Sequence, residues 1–153
     1  MKALSLTQPW ATLVAIGAKK IETRSWGTTP CGTIAIHAAK KMTRADVDIC
    51  LEYPFVDALS ALGVVFTAQD LPRGAILAIA DFVGCIGTDQ LYESERGRAM
   101  LTSKEEAFGN YESGRFAFVF RRVRRLREPI PCNGALGLWT VPPDIEERLN
   151  GLL

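Results

Sequence analysis

Apolar and polar residues alternate over residues 2–6 (KALSL), the period of a short strand. Thr7-Gln8-Pro9-Trp10 changes the period. Trp10, Leu13 and Val14 recur at helical spacing, Pro9 suits a first helical position with Thr7 or Gln8 as its cap, and Gly17 stops the run. This predicts a helix of about two turns. Residues 19–24 read as a strand with Ile21 and Thr23 on one face and Lys20, Glu22 and Arg24 on the other. Ser25-Trp26-Gly27 breaks it, residues 28–31 turn around Pro30, and residues 32–38 (GTIAIHA) form a buried strand. Thr43 and Asp46 have capping-box spacing and open a helix running towards Leu51; Pro54 restarts a second one to about residue 62.

Residues 63–73 read as a mixed loop containing Pro72. The longest apolar run, residues 74–86 (GAILAIADFVGCI), is interrupted only by Asp81, and its β-branched residues and glycines predict a long, bent central strand. Residues 87–100 read as a loop with one short helix. Ser103 to Glu106 has the form of a further capping box, opening a helix that ends at Gly109. Residues 115–126 form a strand with Phe116, Phe118 and Phe120 on one face, which Pro129 and Pro131 are expected to end. A last strand over residues 135–141 precedes a C-terminal helix that starts at Pro143. Strands interleaved with short helices of irregular length close more readily into a mixed barrel than into a doubly wound sheet, so an α+β barrel in one domain over residues 1–153 is expected.

Composition narrows the functional classes. The 153 residues are 48% hydrophobic and 23% charged, which is globular, and a formal net charge of +1 excludes a histone-like basic protein while leaving room for a local basic patch. The start (MKALSLTQPW) lacks the apolar stretch of a secretory signal, and no run has the length of a membrane span. Cys31, Cys50, Cys85 and Cys132 are far apart with no CxxC pair, and His37 is the one histidine; a metal site and a metal-dependent chemistry are therefore not expected, nor any cofactor. Isolated thiols without an export signal suit a cytoplasmic protein.

Side chains suited to ligand chemistry concentrate near the N-terminus. Trp10 starts the first helix, Lys19, Glu22 and Arg24 follow within one strand, and Trp26 lies just beyond it. If the helix packs on the barrel, these groups flank one cleft. A base and its phosphate need stacking on a ring and positive charge for the oxygens, and a carboxylate such as Glu22 can accept from an exocyclic amine. Against this, tryptophans are usually core residues, and the charged trio reads equally as a solvated strand edge. Asp81 within an apolar run needs a partner. His37 in an apolar strand reads first as a satisfied core histidine. Five arginines among residues 121–127, including Arg121, Arg122, Arg124 and Arg125, form a local basic patch; Lys40 and Lys41 extend a basic rim or are ordinary surface. Phosphate tracking and protection of an edge strand are equally good accounts of the arginines. Ser5, Ser25 and Ser113 are candidate hydroxyls with no base paired to them in sequence; Ser25 abuts Arg24 and Trp26.

Leu4-Ser5-Leu6-Thr7-Gln8-Pro9-Trp10-Ala11, the spacing Gly17-x-Lys19-x-x-Glu22-x-Arg24 and the following Ser25-Trp26 resemble the signature of the ASCH (activating signal cointegrator homology) domain. Gly32 with its strand, Lys40-Lys41, the 74–85 strand with Asp81, and residues 134–139 (GALGLW) fit as well, so the likeness covers nearly the whole chain. The resemblance implies a PUA-like β-barrel decorated by short helices, and a cleft that binds RNA, other single-stranded nucleic acid or a modified nucleoside. Carried over residue by residue, Gln8, Pro9, Trp10, Lys19, Glu22, Arg24, Ser25 and Trp26 would line that cleft. Some small bacterial members are amidohydrolases that deacetylate acetylated cytidine; they keep the lysine but carry a threonine nucleophile where this chain has Glu22. A carboxylate is a poor acyl nucleophile, and alternation turns Thr23 to the other face of the strand. The expectation is thus a binding module. The alternative is a metal-independent hydrolase, a nucleoside amidohydrolase or a ribonuclease, in which Lys19 and Glu22 carry the acid–base work. A protein-interaction adaptor is a third reading, with no groove for peptides to support it.

Overall fold

The computed structural model describes residues 1–63 and 67–152. Six strands, β1 (Lys2–Leu6), β2 (Ile21–Arg24), β3 (Gly32–Ala38), β4 (Ala75–Gly87), β5 (Phe116–Pro131) and β6 (Leu138–Thr140), form one curled half-barrel in the order β2-β5-β4-β3-β1-β6. Of these pairs, β1 and β3 run parallel and the others antiparallel. Among the described residues seven short helices decorate it: α1 (Trp10–Ala15), α2 (Arg44–Ile49), α3 (Phe55–Leu59), α4 (Thr88–Glu93), α5 (Glu95–Met100), α6 (Ser103–Phe108) and α7 (Pro143–Asn150).

Alternation decides what fills the concave side. Leu4, Leu6, Ile34, Ile36, Phe82, Phe118 and Phe120 form its apolar floor, and α1 lays Ala11, Val14 and Ala15 against them. The opposite parity of β1 and β3, Ala3 and Ala35, packs with Trp139, Ile145 and Leu149 under α7. A third cluster, Leu13, Cys50, Phe55, Leu59 and Phe108, ties α1 to the helical insert after β3. The curl has a visible cause. The β4–β5 ladder slips register at three places, and the slip opposite Ile79/Asp81 coincides with Arg122, which takes φ +43°. Such bulges bend a strand and increase its twist.

Several expected boundaries are corrected. β5 runs through Pro129 and on to Pro131, because past Phe120 it pairs only with β4, and a proline that lacks N–H costs no ladder bond when that position faces an open edge. β2 starts at Ile21, so Lys19 and Lys20 precede it. The last strand is three residues long, Gly137 turning left-handed (φ +66°) just before it. Residues 87–100 hold two helices, divided by extended Ser94, whose hydroxyl accepts from Gly97 N. The cap of α6 is Thr102, not Ser103, and its N3 residue Glu105 leaves the helix end to serve a strand. The Thr43–Asp46 capping box forms as expected. The loop expected over residues 63–73 includes residues 64–66, which lie outside the described residues; beyond them Ala68–Asp70 is a 3₁₀ turn.

Gln8 is fully buried, its Oε1 accepting from Thr12 N at 3.0 Å and its Nε2 donating to Pro72 O at 2.6 Å. It therefore caps α1 from two residues upstream, satisfying a donor that Pro9 has no side-chain group to meet.

Candidate functional site

The half-barrel's open side lies between the edge strand β2 and β1, and a chain of polar contacts crosses it. Alternation turns Ile21 into an apolar cluster behind the sheet and leaves Glu22 and Arg24 on the face shared with Phe118 and Phe116, while the buried Thr23 accepts from Asn110 N at 3.2 Å. Lys19 is fully buried; its Nζ donates to Ile21 O at 2.5 Å and lies 3.6 Å from Glu22 Oε2. Glu22 Oε1 is 3.2 Å from Arg24 Nε, and an Arg24 terminal nitrogen donates to Ser5 O at 2.6 Å. A carboxylate thus sits between two cations, one sealed behind it and one at the rim that also stitches β2 to β1. Arg24 Nε makes this ion pair without hydrogen-bond alignment, leaving a buried donor unsatisfied, which is uncommon in folded proteins.

Glu22 faces a cleft of about 380 Å³, lined also by Trp10, Thr23, Phe55, Asn110 and Arg115. The Trp10 indole is fixed: Nε1 donates to Phe108 O at 2.7 Å and the ring meets Phe55 edge-on at 6.0 Å. It remains half-buried and lines the opening. Arg115 reaches it from the start of β5, with Nε donating to Asn110 O at 3.1 Å and a terminal nitrogen to Thr23 O at 3.3 Å. Tyr111 packs behind, and burial, then the Glu105 and Glu22 carboxylates, push its hydroxyl pKa up.

The expected cleft residues are therefore not all together. Trp10 and Glu22 share the hollow, Lys19 and Arg24 reach it through Glu22, and Trp26 lies outside it, half-buried against the apolar floor with its ring edge-on to Phe118 at 5.0 Å. Gln8 and Pro9 are buried beneath α1, and Ser25 is exposed where β2 ends. Arg115 and Asn110 also reach the cleft, with no motif in the sequence to mark them. Arg115 reaches the cleft because β2 pairs with β5 as far as Phe116, a long-range register with no local signal.

The basic residues divide. Arg121 and Arg122 join Lys20 and Lys104 around a second hollow of about 800 Å³ whose floor includes Val119 and Phe120. Arg124 and Arg125 are exposed further along β5, opposite Ile79 and Ala78. Lys40 and Lys41 are exposed after β3, and Lys40 donates to Asn133 Oδ1 at 2.8 Å, beyond the far end of β5. Asp81 finds its partner in Arg122, whose Nε donates to Oδ2 at 2.6 Å. Glu105 closes one wall of the second hollow. Its carboxylate accepts from Lys20 N at 2.9 Å and Ile21 N at 3.0 Å, and burial outweighs these bonds to raise its pKa. Among the described residues, no three His, Cys, Asp or Glu side chains gather where they could hold a metal ion, and no helix is long and apolar enough to cross a membrane.

A half-barrel curled around aromatic residues, with a short helix packed on its concave side and a charged hollow beside it, defines a PUA-like domain. Within that class the chain belongs to the ASCH family, whose domain matches residues 4–126. It is 27% identical over 146 residues to activating signal cointegrator 1 of Homo sapiens and 25% identical over 144 residues to that of Mus musculus. Each alignment takes in 94% of this chain but only 23% of the relative, so the chain spans about a quarter of their length. Its fold is similar to the crystal structure of ASCH from Zymomonas mobilis, with TM-score 0.56 and 16% identity, covering 99% of this chain and 94% of that one. A point mutant of that Zymomonas mobilis protein gives a TM-score of 0.55 at 17% identity, with the same coverage of both chains.

Proposed function

We propose that this domain binds single-stranded RNA and takes one unpaired base into the cleft beside Trp10. The observation that carries the reading is the Glu22 carboxylate, held between Lys19 and Arg24 at the wall of a hollow that Trp10 also lines. A carboxylate oriented by two cations offers acceptors to an exocyclic amine, while the indole offers a stacking surface. Arg115 at the same opening, and Lys20, Lys104, Arg121 and Arg122 around the second hollow, suit the backbone phosphates. Membership of the ASCH family supports a nucleic-acid partner in general terms. The cationic partners of both Glu22 oxygens and the complete burial of Lys19 argue for positioning rather than for proton transfer, so amide hydrolysis or RNA cleavage by this pair is the weaker reading.

The test is a titration of fluorescein-labelled single-stranded oligoribonucleotides at several salt concentrations. Binding should weaken linearly in log–log form as salt rises. Trp10→Ala should cost about 1–3 kcal/mol of binding, the usual loss for one stacked base, while Arg121→Gln with Arg122→Gln should lower the salt slope. Binding independent of salt, or untouched by Trp10→Ala and Glu22→Gln in folded variants, would remove the proposal.

A further inference from the structure

On the far side of β1 from the Trp10 cleft, the chain holds a serine paired with its one histidine. β1 and β3 run parallel with Ser5 opposite His37, and Ser5 Oγ lies 3.0 Å from His37 Nδ1. The proton positions follow from donor and acceptor chemistry. Cys132 O can only accept, so His37 Nε2, 2.9 Å away, carries a hydrogen. The neutral ring then has a bare Nδ1. Trp139 Nε1 can only donate, and it is 3.0 Å from Ser5 Oγ. The Ser5 hydroxyl accepts from the indole and turns its own hydrogen to His37 Nδ1. Burial lowers the His37 pKa more than the Cys132 bond raises it, and Lys40 lowers it further, which keeps the ring neutral near pH 7.

His37 is only 1% exposed and Ser5 half-buried, but both border a hollow at the surface. Ser5 and His37 line a hollow of about 470 Å³ with Ala39, Lys40, Asn133, Gly134 and Leu136. Gly134 is the wall that lets the pair form: a Cβ there would lie 2.5 Å from His37 Cε1 and 2.7 Å from Ser5 Oγ. Leu136 is 98% exposed at the mouth. Lys40, tethered by Asn133, supplies positive charge to the same space.

We propose that Ser5 is a nucleophile activated by His37, and that the hollow takes a small acyl ester carrying an anionic group. A hydroxyl within reach of a base that a third group orients is the arrangement on which serine nucleophiles depend; here a backbone carbonyl is the orienting group. The acyl carbon forms a bond to Ser5 Oγ as its bond to the leaving alkoxide breaks. The serine proton passes to His37 Nδ1 and then to the leaving oxygen. Water, deprotonated by the same nitrogen, hydrolyses the acyl-serine and returns the proton to Oγ. Lys40 receives the anionic group, and Ala39 and Leu136 flank the acyl chain. The site shares none of the lining residues of the Trp10 cleft and stands independently of RNA binding.

The test is covalent. The full chain is incubated with a biotinylated alkyl fluorophosphonate, in which Ser5 Oγ would form the bond to phosphorus, fluoride would leave and His37 would take the proton. Mass spectrometry of the peptides should find a single adduct, on Ser5, absent in Ser5→Ala and formed at least about a hundredfold more slowly in His37→Gln, the lower end of what a general base contributes. p-Nitrophenyl hemisuccinate should be hydrolysed faster than p-nitrophenyl acetate, with the preference lost in Lys40→Gln. If His37→Gln fails to fold, Ser5→Cys reads the same environment: iodoacetamide should alkylate the new thiol at least tenfold faster than exposed Cys31. No adduct on Ser5 in the folded wild type, labelling indifferent to His37, or a new thiol slower than Cys31 would each overturn the proposal.

Discussion

Replacing Lys19 with Met removes one charge from the interior while leaving a side chain of similar length to fill its place. Lys19 is fully buried and Glu22 exposes 14% of its side chain, so the two lie 3.6 Å apart in a poorly solvated setting. At an effective dielectric of about 20 their attraction is on the order of 4–5 kcal/mol. Most of that is offset by the cost of burying the ammonium, which the variant no longer bears. What remains is the damage left behind: Ile21 O loses its donor and Glu22 keeps only Arg24. Removing one member of a buried pair costs about 3–5 kcal/mol. Partial exposure of Glu22 and its second cation place this case lower, at about 2–3 kcal/mol. With a urea m-value of about 2 kcal/mol/M for a chain of this size, the unfolding midpoint should fall by about 1–1.5 M. Glu22→Gln, which keeps its shape and leaves Lys19 on the Ile21 carbonyl, should cost about half as much. The double variant should be more stable than the sum of the two losses by about 1–2 kcal/mol, because the second change removes a group already stranded by the first. A midpoint for Lys19→Met within about 0.2 M of wild type, or losses that simply add, would refute the buried pair on which the site's geometry rests.

Three further outcomes follow from the same contacts. Glu105→Ala strands the amides of Lys20 and Ile21 but relieves a desolvated carboxylate; a net loss of about 2–3 kcal/mol should lower the melting temperature by about 5–10 °C in calorimetry, and an unchanged melt would mean the clamp on β2 is not formed. His37 has a lowered folded-state pKa, so its neutral form contributes stability that is present above the ordinary value of 6.5 and is lost as pH falls below it; the single imidazole should titrate below 6.5 by NMR, and His37→Gln should flatten the fall in melting temperature in that window. Arg122→Gly relieves about 1 kcal/mol of left-handed backbone strain and forfeits an ion pair whose arginine is 86% exposed, worth about 0–1 kcal/mol, so denaturation should show near neutrality, whereas Arg122→Val should be destabilised; a loss above about 2 kcal/mol for the glycine variant would contradict the bulge.

What could be read along the chain depended on whether the deciding contact was local. Periods of two and 3.6 found β1, β3, β4 and α1 because each has one face on the same core. The two prolines of β5 misled because the rule that proline ends a strand assumes partners on both sides, and β5 has only β4 there. Parity sets Ile21 and Thr23 inward and reserves the open face for Glu22 and Arg24, but it does not place Lys19, which precedes β2 and is buried with its Nζ 3.6 Å from the Glu22 carboxylate. Trp26 follows a charged strand, which suggests a stacking role; its half-buried indole meets Phe118 edge-on, outside the hollow that Trp10 lines. Pairings across the sheet carry no trace in either sequence neighbourhood: Ser5 meets His37 across 32 positions, and Arg122 meets Asp81 across 41. Asp81 could at least be flagged, because a carboxylate in an apolar run must find a cation. Ser5 reads in the sequence as a candidate hydroxyl, but nothing near it in the chain pairs it with a base. Only the parallel register of β1 on β3, together with a glycine at 134 that leaves the imidazole room, makes that hydroxyl chemically distinct from the chain's other serines.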